Sequence, residues 1–244
     1  MTNATVSKAS SSLSLMDLRE KFGLERDYAD LFFKQWLVDG DSLSSYDEQT
    51  LDRLRRNYRN IIDTRPLEEV VKLVVLAPLL ELAGFYQPPF SIRAEVPTRL
   101  TVADQSEAFT GKIDVLVISQ AFWVLVIESK QAQFDILTGI PQALSYLLSQ
   151  PPKAQVSSSR HAKSGLGEHQ SELPLGHLHQ RFGMVTNGRE VVFLKLTPAS
   201  NERSSPHYSQ SKAYQVIDED EDLPQILRGL KWVGRYAIAY SCWQ

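Results

Sequence analysis

Two neighbouring apolar runs constrain this chain most. They are GKIDVLVI, which carries Asp114, and FWVLVIESK, which ends on Glu128, Ser129 and Lys130. Both are rich in β-branched and aromatic residues, so 112–118 and 122–130 read as largely buried strands. With a side-chain period of two, Phe122, Val124, Val126, Glu128 and Lys130 share one face of the second strand, and Trp123, Leu125, Ile127 and Ser129 share the other. Glu128 and Lys130 therefore point the same way, roughly 7 Å apart along the strand. If residues 119–121 turn the chain back as a hairpin, Asp114 comes to lie on the neighbouring strand, close to Glu128. Burying charge at the end of an apolar run costs several kcal/mol unless something pairs with it, and a bound cation would do so.

The residue types suit one chemistry. Mg²⁺ takes oxygen ligands, so Asp114 and Glu128 fit it, with the Ser129 carbonyl as a third ligand and Mn²⁺ as a substitute ion. Such a metal polarises a phosphorus centre, lowers the pKa of a bound water and steadies a leaving oxygen. Lys130 would orient or activate that water and offset the negative charge growing in the transition state. The other reading of the triplet is an ordinary Glu128–Lys130 ion pair where the strand reaches solvent.

Residues Thr138 to Gln150 follow with a helical pattern, with Thr138 as a cap and Pro141 in the first turn. Ile140, Leu144, Leu147 and Leu148 supply its packed stripe, and Gln142 and Tyr146 stand four apart on one face. Here the chain resembles the PD-(D/E)xK nuclease superfamily, and most closely the N-terminal nuclease domain of type I restriction enzyme R subunits. That family carries an Asp, then an ExK, then a QxxxY helix, matched by Asp114, by Glu128-Ser129-Lys130 and by Gln142 with Tyr146. Upstream, Arg65 to Gly84 is similar to the family's long first helix, which has a glutamate in its first turn. That match nominates Glu68 for the helix carboxylate, with Glu69 second, although acidic residues favour helix N-termini in any protein. Downstream, Phe182 to Leu196 reads as two strands around Asn187-Gly188, a type I′ hairpin signal. The resemblance runs from about Arg65 to Leu196 and rests on the order and spacing of its parts, none of which is specific alone.

The resemblance implies an α/β (mixed α+β) restriction-endonuclease-like core. Its central mixed sheet is flanked by helices in the order α-β-β-β-α-β, with an N-terminal helical segment and a C-terminal helix added. It also implies a Mg²⁺-dependent DNA endonuclease. In that reading Asp114 and Glu128 bind metal, Glu68 assists directly or through water, and Lys130 supports the attacking water. Gln142 and Tyr146 shape the site or contact DNA. The alternative is a catalytically inactive module of the same fold that binds nucleic acid or acts as an assembly subunit. Two departures stand out: Ile113 replaces the nominal proline, and no GxxxxGK[ST] motif is present, so any motor or specificity function would come from separate subunits.

At 244 residues and 43% apolar content the chain can bury a substantial core. It has no run approaching the roughly 18 apolar residues of a membrane span. The polar, Ser-rich start lacks a hydrophobic signal core, so a cytoplasmic location is expected. A single cysteine, Cys242, leaves no internal disulfide or Cys-based zinc site. The net charge of −3 provides no global basic field for DNA. Positive charge is local, at Arg53, Arg55, Arg56 and Arg59, and at Lys153, Arg160, Lys163 and Arg181. On a helix, Arg55 and Arg59 share a face with Arg56 adjacent, while Leu51, Leu54 and Tyr58 form another. This reads as a solvated helix face in preference to a phosphate-binding stripe.

Along the chain, residues 1–14 read as a disordered tail and 15–60 as a helical segment broken near 38–45. Residues 61–244 read as the nuclease-like domain. Within it come a helix at 66–83, strands at 90–102, 110–118 and 122–130, and a long flexible loop at 151–180. Pro97 marks an edge or bulge in the first strand. His161, His169, His177 and His179 in the loop are irregularly spaced and read as polar loop in preference to a zinc site. After a second polar loop at 198–211 and a short strand at 212–217, the acidic run 218–222 precedes a helix at 223–240. Trp232, Tyr236, Tyr240 and Trp243 recur at helical spacing as core or interface contacts.

Overall fold

The computed structural model describes residues 5–35, 42–104, 106–119, 122–149, 180–201, 203–218 and 221–241. In chain order the elements begin with β1 (Val6–Ala9), α1 (Leu15–Phe22), β2 (Glu25–Arg26), α2 (Phe32–Gln35), α3 (Ser45–Arg59) and α4 (Glu68–Val71). A π turn (Lys72–Leu76) leads without a break into α5 (Ala77–Leu82), and then come β3 (Phe90–Thr101), β4 (Glu107–Ser119), β5 (Phe122–Ser129) and α6 (Ile140–Leu148). The chain continues with β6 (Arg181–Thr186), β7 (Glu190–Thr197), β8 (His207–Gln210), β9 (Tyr214–Gln215) and α7 (Asp222–Ser241).

The strands form one mixed sheet in the order β1-β4-β5-β6-β7-β8-β2, with β3 also on β4 and β9 on β7. β3, β4 and β5 run antiparallel to one another, whereas β5 and β6 are parallel. Parallel neighbours need a crossover connection, and α6 lies in the one that joins these two. Val115 pairs with Ile127 across β4 and β5, so Asp114 and Glu128 fall one step beyond that pair.

Alternation along the central strands feeds a core on each face. Val117, Leu125, Ile127 and Phe193 share one cluster with Leu54 of α3, Leu79 of α5 and Leu227 of α7. Leu116, Val126 and Leu194 share the other with Leu18 of α1 and with Leu144 and Leu147 of α6. Strict alternation fails at Val124, which joins the cluster of Leu125 and Ile127. A register shift between Val117 and Ile118 leaves Val124 as the extra residue of a bulge, so it does not share the Val126 face. Phe182, Trp232 and Tyr236 meet at ring-centroid distances of 5.1–5.8 Å, which makes Trp232 and Tyr236 packing residues. The side chain of Tyr240, together with Trp243, lies outside the described residues, as do 36–41 of the expected helical break and the histidines of 151–179. No helix among the described residues is long and apolar enough to cross a membrane.

Several expectations are corrected. Residues 6–9, expected within a disordered tail, form β1, because β5 does not reach the first part of β4 and leaves an edge at 107–110 for it to pair with. Leu13 and Ser10 are buried there, and Lys8 pairs with Glu107 at 2.6 Å. β8 occupies part of the expected loop 198–211 and receives β2 as a parallel neighbour. No side chain caps α6, which starts from Gly139; Asp135 caps the 3-10 turn before it (Ile136–Gly139), accepting from the Leu137 N–H at 2.9 Å, and Thr138 donates to the Asp135 carbonyl. The β6–β7 turn is not type I′, since only Gly188 in it has positive φ, +83°. Asn187 Oδ1 instead accepts from the N–H groups of Arg189 and Glu190 at 3.0 and 2.9 Å, an Asx turn held to the body by Asn187 Nδ2 donating to the Phe134 carbonyl.

α3 follows its sequence pattern except at Arg55, expected on the solvated face with Arg59 but half-buried. Ser44 and Asp47 form a capping box, Leu51, Leu54 and Tyr58 are buried, and Arg53, Arg56 and Arg59 are exposed. The long first helix differs from a regular one through its π turn. Pro78 lacks an N–H for the Val74 carbonyl, and its ring would crowd that carbonyl; the wider turn relieves both problems, with the Ala77 N–H reaching Lys72.

Candidate active site

β5 delivers Glu128 to the end of the sheet with its side chain only 3% exposed. Lys130, one residue past the strand, turns back so that its ammonium lies 2.6 Å from Glu128 Oε1. The same ammonium donates to Gln142 Oε1 at 2.8 Å, and Gln142 Nε2 donates to the Tyr146 hydroxyl at 2.7 Å. The helical spacing of four puts Gln142 and Tyr146 in line, so α6 acts as a rail that fixes the lysine. Close approach is what permits this. A Cβ at Gly139 would lie 2.6 Å from Val185 Cγ1 and 3.5 Å from Lys130 Cε, and one at Gly111 would lie 2.8 Å from the Tyr146 hydroxyl.

Asp114, on β4, completes the inner half. Its Oδ2 accepts the Ser129 N–H at 2.6 Å, and its Oδ1 accepts from Lys72 Nζ at 3.2 Å. Lys72 is bound in turn to Glu68 Oε1 at 2.6 Å. Glu68 thus faces the cluster from the first helix, whereas Glu69 and Glu81 are exposed. Ser129 is fully buried and contributes its N–H to Asp114, while its Oγ has no hydrogen-bond partner among the described residues.

The electrostatics follow from this burial. Desolvation, then the Asp114 charge, push the Glu128 carboxyl up to about 8, against the pull of Lys130. Burial also raises Asp114, with the Ser129 N–H and Lys72 opposing and the Glu68 charge adding to the rise. Burial pulls Lys72 down, but its bond to Glu68 and the Asp114 charge outweigh that and leave it raised. Tyr146 is pushed well up by burial and by the Glu128 charge, so it remains a neutral hydroxyl. Glu128 Oε2 is buried without a hydrogen-bond partner among the described residues, which costs an acceptor of this kind on the order of 1–3 kcal/mol or more.

Sequence patterning missed two members. Lys72 stands four residues after Glu68, the spacing of a helical ion pair, and that spacing is the signal that could have found it. Glu95 sits at φ +53° on β3, within 3.9 Å of Lys72 and 3.7 Å of Lys112, and no pattern marks it. Among the described residues no group of three or more His, Cys, Asp or Glu side chains is gathered as a metal site. Lysines stand among the carboxylates instead, Lys72 between Glu68 and Asp114 and Lys130 on Glu128. No family model and no curated protein matches the chain.

Proposed function

We propose that the chain is a Mg²⁺-dependent DNA endonuclease with a restriction-endonuclease-like core, similar to the nuclease part of a restriction R subunit without its motor. The observation that carries this reading is convergence. Glu68, Asp114, Glu128, Lys130, Gln142 and Tyr146 come from two helices and a strand pair, and meet in one polar cluster. The β3-β4-β5 meander followed by α6 and the parallel β6 supports the fold assignment.

The donor set fits a hard divalent cation. Two buried carboxyl groups stand on paired strands, and one of their oxygens, Glu128 Oε2, has no hydrogen-bond partner among the described residues. Asp114, Glu128 and the Ser129 carbonyl would hold Mg²⁺ or Mn²⁺. When bound, the ion supplies Lewis acidity at phosphorus and a water of lowered pKa. To serve as a ligand at neutral pH, Glu128 would have to give up the proton that its burial favours. Lys130, held by Gln142 and through it by Tyr146, positions the attacking water and offsets charge developing on the phosphate. Glu68, paired with Lys72, faces the same space from the helix side and would assist directly or through water. DNA is the substrate of this reading, with strand separation or sequence choice left to other subunits.

A second reading, a non-catalytic module of the same fold, draws on one observation: a lysine already stands on each of the two central carboxyl groups. Nicking of supercoiled plasmid with Mg²⁺ or Mn²⁺ separates the two. Glu128→Ala and Lys130→Ala are expected to lose at least a hundredfold in rate. Equal cleavage by all three proteins sinks the nuclease assignment, and DNA binding without cleavage by the wild type supports the module.

A further inference from the structure

Lys72 has the contacts of a counter-ion and none of a surface lysine. Its ammonium is 2.6 Å from Glu68 Oε1 and 3.2 Å from Asp114 Oδ1, with Glu95 at 3.9 Å. Its side chain is only 22% exposed. The π turn begins at this residue, so the irregularity of the helix falls where the ammonium is aimed. Without Lys72, Asp114 would face Glu68 and Glu128 with the Ser129 N–H as its one remaining hydrogen-bond donor among the described residues.

We infer that Lys72 is a built-in cation that keeps Glu68 and Asp114 together in the metal-free protein and must be displaced before a divalent ion can bind. It is therefore a positioning residue that sets the metal affinity of the site. This rests on the proposed metal-dependent reading. Both Asp114 oxygens are engaged, Oδ1 by Lys72 and Oδ2 by the Ser129 N–H, so a divalent ion on this carboxylate takes the place that Lys72 fills, whereas Lys130 on Glu128 Oε1 leaves Oε2 open. Lysine suits the part: a compact charge on a flexible four-carbon stem can swing out to solvent at little steric cost. Lys130 cannot substitute for it, being held on the other side of the cluster by Glu128 and Gln142. The exchange makes metal binding weaker than the carboxylates alone would give, and it makes loading a discrete event in which one cation replaces another.

The test is Mn²⁺ binding to the full chain, followed by the electron paramagnetic resonance signal of the free ion, with thermal unfolding measured with and without Mn²⁺. Lys72→Met removes the charge and keeps the stem. Lys72→Gln keeps hydrogen bonds to the carboxylates and serves if the Met variant does not fold. Asp114→Asn reports on the metal site itself. Either Lys72 variant is expected to bind Mn²⁺ about tenfold more tightly than the wild type, with a lower melting temperature without metal and a larger rise on adding it. Asp114→Asn is expected to lose binding. Unchanged or weaker binding in the Lys72 variants, with binding still lost in Asp114→Asn, overturns the role of Lys72 and leaves the metal site standing. Absence of Mn²⁺ binding in the wild type and the Lys72 variants alike overturns both.

Discussion

Replacing Glu128 by Gln should stabilise the metal-free protein by an amount that grows with pH. Burial first, and the Asp114 charge second, raise the Glu128 carboxyl from an ordinary 4.5 to about 8. Below the unfolded value the group is protonated in both states and contributes no difference. Between the two values the unfolded chain releases the proton while the folded protein keeps it, so the folded state binds more protons and wild-type stability falls as pH rises. Above the folded value the whole penalty is present. At about 1.4 kcal/mol per pKa unit the ceiling is about 5 kcal/mol. Relaxation and water entry around a buried ion bring the expected effect to roughly 2–4 kcal/mol. Gln preserves the shape and can still accept the Lys130 hydrogen bond. Urea unfolding of wild type and Glu128→Gln in the presence of EDTA, at pH values below 4.5, near neutral and near 9, measures the difference. A difference that is flat with pH, or a variant less stable than wild type near pH 9, would refute the argument that Glu128 is a strained buried acid.

Two further outcomes are expected. Gly188→Ala places a Cβ at φ +83° and 2.3 Å from the Tyr58 hydroxyl, and should cost about 2–4 kcal/mol in chemical denaturation from backbone strain plus overpacking. Tyr146→Phe removes the hydroxyl that receives the Gln142 amide, which should cost about 1–2 kcal/mol. It should also slow plasmid nicking tenfold or more by loosening Lys130, and an unchanged rate would show that the α6 rail does not hold the lysine.

The parts legible in the sequence were those governed by local periodicity. The β4–β5 pairing brings Asp114 and Glu128 together because both runs alternate around the same apolar positions, and the spacing of four put Gln142 and Tyr146 on one helical face. The choice between Glu68 and Glu69 depended on the rotation of the first helix against the sheet, which no local pattern contains. Short strands were invisible for a related reason. β1, β2 and β8 are two to four residues long and exist only because distant strands offer them an edge. The Asn187 turn had the right residues for a type I′ hairpin, but a bond to the Phe134 carbonyl and the contact of Gly188 with Tyr58 selected another geometry. Lys72 was written in the sequence as a helical ion pair, yet its importance comes from Asp114, 42 positions away.

The π turn changes how the first helix tolerates alteration. A π turn is an α-helix carrying one inserted residue, which the wide turn absorbs so that the helix on either side keeps its face. The polar half, with Glu68 and Lys72, and the apolar half, with Leu79, Leu80 and Leu82, therefore stay aligned across an odd residue that a regular helix would have to pass on as a rotation of about 100°. Adding one further residue at 72–76 would exceed what the turn absorbs, so that either the leucines leave the core or the Glu68–Lys72 pair leaves the carboxylates. Removing one would close the turn and bring the Pro78 ring back against a helix carbonyl. The length of this segment is thus a constraint separate from its composition.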